Sequence, residues 1–192
     1  GDKTSVATIQ RNVARALCSL SYEECNHVEM LGDSKCVQVL LELLSANGEA
    51  VRYAASALGN LSLSYSGQQK IGALGGIDRL SFAFDSCQKA ASRCLCRLAS
   101  AIEIAPGTGI AEEADEEQKN GVRIIQAGDL LSKLLGLLSA ARNPISDGNN
   151  DEADNEVEKK QYLAAMVLCN VAYDSSNHEG LLKAACLEPL VA

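Results

Sequence analysis

"ALGNLSLSYSGQQKIGALGGIDRL" occupies residues 57–80, and the order of its parts decides the fold. An apolar helical run closes on Asn60 and Ser62, a short polar segment follows, and a Gly-Gly pair at 75–76 precedes a second apolar run from Ile77. Glycine stops a short helix and turns the chain, so two helices are expected on either side of that pair. Upstream, Val51, Ala54, Ala55, Leu58 and Leu61 recur at the three- and four-residue spacing of one helix face. Asn60 breaks the apolar pattern near the helix end. Such an asparagine either bonds within its own helix end or faces a groove where its amide can donate and accept.

The closing motif recurs as Ala16-Leu-Cys-Ser-Leu-Ser21, Ala57-Leu-Gly-Asn-Leu-Ser62, Cys94-Leu-Cys-Arg-Leu-Ala99 and Val167-Leu-Cys-Asn-Val-Ala172, with starts separated by 41, 37 and 73 residues. A period near 40 residues marks stacked units that share a continuous core. A second series, Leu40-Leu-Glu-Leu-Leu44, Leu80-Ser-Phe-Ala-Phe84, Leu134-Leu-Gly-Leu-Leu138 and Leu190-Val-Ala192, holds matching places ahead of the closing helices. Glycines punctuate the entries in "LGDSK" (31–35), "LGGID" (74–78) and "AGDLL" (127–131).

Composition agrees with an all-α chain. Hydrophobic residues make up 47% and aromatics 4%, with no Trp and three Pro, so the core is built from Leu, Ala, Val and Ile. The net charge of −8 is concentrated in residues 103–119 and 147–160, leaving the remaining chain near neutral. That distribution disfavours nucleic-acid binding, which needs clustered Lys and Arg. Eight cysteines form no C-x-x-C pair, and neither His27 nor His178 has a thiol cluster, so no metal site is expected. Cys94 and Cys96 point to nearly opposite faces of one helix and cannot bridge each other. Buried free thiols suit a reducing compartment, hence a cytoplasmic location, with the nucleus also compatible.

Three helices per unit, glycine between the first two and "ALxNLS" closing the third resemble the armadillo repeat. The resemblance covers almost the whole chain: a last helix at 5–21, repeats at 22–63, 64–101 and 102–174, and the start of another at 175–192. A right-handed α-solenoid is implied. The interrupted final unit predicts either a fragment of a longer solenoid or a chain with atypical ends. HEAT repeats, with two helices per unit and less glycine, are the structural alternative.

The resemblance places a groove along the stacked third helices. Its lining is predicted to include Asn12, Arg15, Ser19, Tyr53, Ser56, Asn60, Arg93, Arg97, Met166 and Asn170. In such families the asparagine at the place of Asn60 and Asn170 grips the main chain of an extended peptide. Here Ser19 and Arg97 replace it in two repeats, so no continuous ladder exists. The import adaptors of the family carry Trp four residues before that asparagine, where this chain has Arg15, Ser56, Arg93 and Met166, so an importin-like role is disfavoured. Arg15, Arg93, Arg97 and Lys159 outweigh Glu49 on this face, which is similar to catenin-type grooves and suits an acidic or phosphorylated peptide. The other reading of these charges is an ordinary solvated helix face.

"AEEADEEQKN" (111–120) and "ISDGNNDEADNEVEKK" (145–160) are low in large apolar residues and are expected to be mobile loops, acting either as an internal competitor for the basic groove or as a solvated insertion. The EF-hand pattern fails, since the sixth residue from Asp147 is Glu152 rather than Gly. "GDKTS" (1–5) fits a myristoylation pattern only if a Met preceded Gly1. "LLSKLLGLLSA" (130–140) belongs to core packing, and no apolar run reaches bilayer length. No phosphate loop or nucleophile constellation appears, so neither catalysis nor a cofactor is expected. The functional expectation is an adaptor binding an extended, acidic peptide. The alternative is a structural spacer or oligomerisation module that self-associates through open solenoid ends.

Overall fold

The computed structural model describes residues 2–100, 120–139 and 151–184. They form ten α-helices: α1 Asp2–Leu20, α2 His27–Gly32, α3 Ser34–Leu43, α4 Glu49–Leu61, α5 Tyr65–Ala73, α6 Gly76–Ala99, α7 Asn120–Gln126, α8 Leu130–Ser139, α9 Asp151–Tyr173 and α10 His178–Lys183. The fold is all-α, with no strand among the described residues. Helices come in short, medium and long order. The long ones pack in sequence, α1 on α4, α4 on α6 and α6 on α9.

Local chemistry sets the boundaries. Asp33 caps α3 by accepting from the Lys35 amide at 2.9 Å, and Ser64 caps α5 by accepting from the Gly67 amide at 3.2 Å. Gly48, Gly75 and Gly128 take the turns before α4, α6 and α8 with φ of 66°, 74° and 52°, a region that costs other residues steric strain. At "LGDSK" the aspartate cap makes the turn instead, and Gly32 remains inside α2. The second and third helices expected within 64–101 are joined as α6, bent at Cys87 where φ/ψ of −148°/38° leaves the helical region. Leu40, Leu80 and Leu134, the heads of the second apolar series, are fully buried in the core.

The units repeat in their polar bonds as well as in their apolar ones. Asn26, Asn120 and Asn177, each entering a first helix, donate from Nδ2 to the carbonyls of Leu20, Leu98 and Val171 at 3.0, 3.1 and 2.9 Å. The acceptors are equivalent positions of the closing motif, so the register resumes at Asn120 after residues 101–119. Gly67 holds the same place in the remaining unit, where a side chain would collide with the Leu61 carbonyl. His27 and His178 aim Nε2 at the carbonyls of Ser21 and Ala172, and Gln68 Nε2 does the same at Ser62. A carbonyl only accepts, so each imidazole bonds as its Nε2–H tautomer.

One expectation from composition is corrected. Residues 151–160 of the second acidic segment are helical and belong to α9. Glu and Lys are good helix formers, and Glu156 ties this part of α9 to Lys89 of α6 at 2.8 Å. Residues 111–119, 145–150 and 190–192 lie outside the described residues, as does Cys186.

Candidate functional site

The long helices carry the candidate surface, so their facing matters most. Aligned on the closing motif, Ser19, Asn60, Arg97 and Asn170 hold one position. Asn60 Nδ2 donates to Ser21 Oγ at 3.0 Å, and that hydroxyl donates to the Cys18 carbonyl at 2.7 Å. Arg97 donates to the Gly59 carbonyl. Asn170 Nδ2 donates to the Cys96 carbonyl at 2.9 Å. Asn60, Arg97 and Asn170 therefore each reach back to the preceding long helix or the turn that ends it. These bonds are neither within the residue's own helix end nor with solvent. They satisfy groups at the helix seam that would otherwise be costly to bury. Each asparagine uses an amide hydrogen for this and keeps its side-chain oxygen outside the bond.

The same device links the shorter helices. Lys70 donates to the Leu31 carbonyl and Arg123 to that of Gly72 (2.6 Å), tying one first helix to the next. Arg79 donates to the Leu41 carbonyl at 3.4 Å and Lys133 reaches that of Ser81 at 3.5 Å, at equivalent points of the second apolar series. Lys133 also pairs with Asp85 at 3.0 Å and Asp129 at 3.2 Å, and the Asp85 bond raises its pKa.

Between α1, α4, α6 and α9 lies an open cleft of about 590 Å³. Arg15, Ser19, Tyr53, Ser56 and Arg93, five of the predicted groove residues, line it together. Asn12 lies beside them in a shallower hollow that also contains Arg15 and Ser19. Asn60, Arg97 and Asn170 are engaged at the helix seams, and Met166 is half-buried on α9. Burial, reinforced by the neighbouring Arg93 charge, lowers the pKa of the Arg97 guanidinium.

Sequence reading missed part of the lining. Arg52, Lys89 and Lys160 add positive charge, while Asp85 and Glu156 oppose it, so the cleft carries five cationic side chains against two carboxylates. Lys159, expected on this face, is exposed on α9, and its neighbour Lys160 lines the cleft instead. Arg11, Arg52 and Lys89 share one position five residues before the motif start, a basic column that one more step around the helical wheel would have found. The column is partly neutralised. Glu49 lies 4.0 Å from Arg11 and 3.4 Å from Arg52, and Glu156, its pKa lowered chiefly by the Lys89 hydrogen bond, lies across the cleft. Arg15 of α1 and Arg93 of α6 are exposed cations that both line the cleft.

The thiols buried in the α6 seams are held in the protonated form. Burial raises Cys87 to about 11 and Cys94 to about 12, and Cys96 is raised for the same reason. Thiols so shifted stay protonated at neutral pH, the form that is not the nucleophile. Among the described residues no group of His, Cys, Asp and Glu could hold a metal ion. No helix among them is long and apolar enough to cross a membrane. Comparison of the chain with protein-family models, curated proteins and solved structures finds no match in any of the three.

Proposed function

We propose that the chain is a non-enzymatic protein-interaction scaffold of the armadillo type, whose cleft between the long helices takes an extended acidic or phosphorylated peptide of a partner protein. The observation that carries this reading is the clustering of Arg15, Arg52, Arg93, Lys89 and Lys160 around Tyr53 and Ser56, with only Asp85 and Glu156 in opposition. Guanidinium groups fork onto carboxylate and phosphate oxygens, and a row of them favours an anionic strand over a neutral one. The phenol ring of Tyr53 gives such a strand an apolar floor. Asn60 and Asn170, whose amide hydrogens hold neighbouring helices, offer side-chain oxygens to main-chain N–H groups of the ligand. The ordered stacking of the long helices and the recurrence of the same donors from unit to unit support the solenoid reading.

The test is a pull-down with the wild-type chain and an Arg15→Glu/Arg93→Glu variant of equal helix content, each with and without soluble polyglutamate. The reading expects partners that polyglutamate displaces from the wild type and that the variant fails to retain. Partner lists unaffected by the variant would put binding on another surface.

A further inference from the structure

Asn-Gly occurs twice in the sequence, at Asn47-Gly48 and at Asn120-Gly121, and the fold treats the two pairs in opposite ways. This dipeptide can react with itself. The main-chain nitrogen of the glycine can reach the side-chain carbonyl carbon of the asparagine, and no β-carbon on the glycine obstructs the approach. Two conditions control the step. The glycine N–H must be unbonded and open to solvent base, and the asparagine side chain must be free to turn toward that nitrogen.

Asn47-Gly48 meets both. The pair lies in the turn between α3 and α4, and both residues are exposed. The amides of Leu44, Ser45 and Ala46 bond back to the carbonyls of Leu41, Glu42 and Leu43. Beyond them, the Asn47 side chain and the Gly48 amide make no hydrogen bond among the described residues. Gly48 has φ 66° and ψ −132°, outside the helical region, and nothing lies within 4 Å of a β-carbon built on it. Asn120-Gly121 fails both conditions. Asn120 is 6% exposed, its Nδ2 donates to the Leu98 carbonyl at 3.1 Å, and its side chain packs against Gly72. Gly121 is buried beside Asn177, away from solvent base, and the helical backbone of α7 fixes the direction of its amide.

We infer that Asn47 is a site of spontaneous covalent modification in the folded protein, deamidating through attack by the Gly48 nitrogen, while Asn120 is protected. The Gly48 nitrogen gives its proton to solvent base and bonds to the Asn47 side-chain carbonyl carbon. The bond from that carbon to its amide nitrogen breaks, and this nitrogen leaves as ammonia with a proton taken from water. Water then opens the resulting succinimide ring at one of its two carbonyls. One opening gives an aspartyl residue at position 47, and the other an isoaspartyl residue whose main chain continues through the former side-chain carbon. The sum is one water consumed and one ammonia released. Either product places a new carboxylate two residues ahead of Glu49, which already faces Arg11 and Arg52. A negative charge there is favoured by the positive end of the helix, so α4 is retained. The inference is independent of what the cleft binds.

The test is peptide mapping by mass spectrometry after incubation of the whole chain at mildly alkaline pH, in native buffer and in urea, with Asn47→Gln as a second chain. In urea the two Asn-Gly pairs are expected to deamidate at similar rates, since the fold no longer separates them. In native buffer Asn47 is expected to react at least about tenfold faster than Asn120, which must wait for local opening. Its products are expected as aspartyl and isoaspartyl peptides of equal mass that separate by chromatography. Asn47→Gln is expected to give no product at that position, because its longer side chain must close a larger ring. Equal native rates at the two asparagines would overturn the inference. So would an aspartyl product alone, which would mean direct hydrolysis without the Gly48 nitrogen. An Asn47 that stays intact in native buffer, whatever it does in urea, would overturn it too, since the turn would then hold that nitrogen out of reach.

Discussion

Arg97 stands where two other units have asparagine, and its guanidinium donates to the Gly59 carbonyl as their amides donate across equivalent seams. Replacing it by Ala removes a charge-assisted bond and leaves that carbonyl unpaired, so Arg97→Ala is expected to lower stability by about 2 kcal/mol in urea unfolding. Asn60→Ala, which breaks a neutral bond, is expected to cost about 1 kcal/mol. If groove recognition were the only role of Arg97, stability would be unchanged. Cys87 and Cys94 predict a pH effect. Their folded-state pKa values of about 11 and about 12 lie above the ordinary value of 9.0, so above that value the unfolded chain releases protons that the folded chain keeps. Stability then falls as pH rises. Urea midpoints measured upward from neutral pH should fall less steeply in Cys87→Ala/Cys94→Ala than in the wild type. The sequence pointed to the polar role of the motif asparagines, because an amide amid apolar residues must be bonded. It could not show that the partner would be the preceding helix, since that acceptor is brought within reach only by packing.

At the scale of elements, glycine positions make the sharpest prediction. A β-carbon on Gly67 would sit 1.9 Å from the Leu61 carbonyl oxygen, a backbone atom that cannot rotate away. Gly67→Ala is therefore expected to destabilise the chain by about 3 kcal/mol. Gly75→Ala, which meets open space but requires positive φ, should cost about 1 kcal/mol. Thermal unfolding followed by circular dichroism would order the two. The helices themselves were legible, since apolar spacing and the glycine entries located the short, medium and long members within the described residues. Composition misled at 151–160, where few large apolar residues suggested a loop. Helix-forming Glu and Lys, together with the Glu156–Lys89 contact, extend α9 instead. The bend at Cys87 was equally invisible, because no glycine or proline marks it.

Across the whole molecule, repeated donors tie each helix class to its predecessor, and the same alignment leaves a cationic cleft along the long helices. Five of the ten expected groove residues converge there because helical periodicity alone sets their facing. Arg52 and Lys89 escaped because they lie one step further round the helical wheel than the positions read, and Lys160 because it stands one residue beyond the expected Lys159. The most direct measurement is calorimetric titration of an extended glutamate-rich peptide, and of its glutamine counterpart, into the wild type and into Arg15→Glu/Arg93→Glu. The account predicts saturable binding of the acidic peptide by the wild type, weakening as salt is raised and reduced at least about tenfold in the variant. Equal affinity for the two peptides, or an unchanged affinity in the variant, would contradict it.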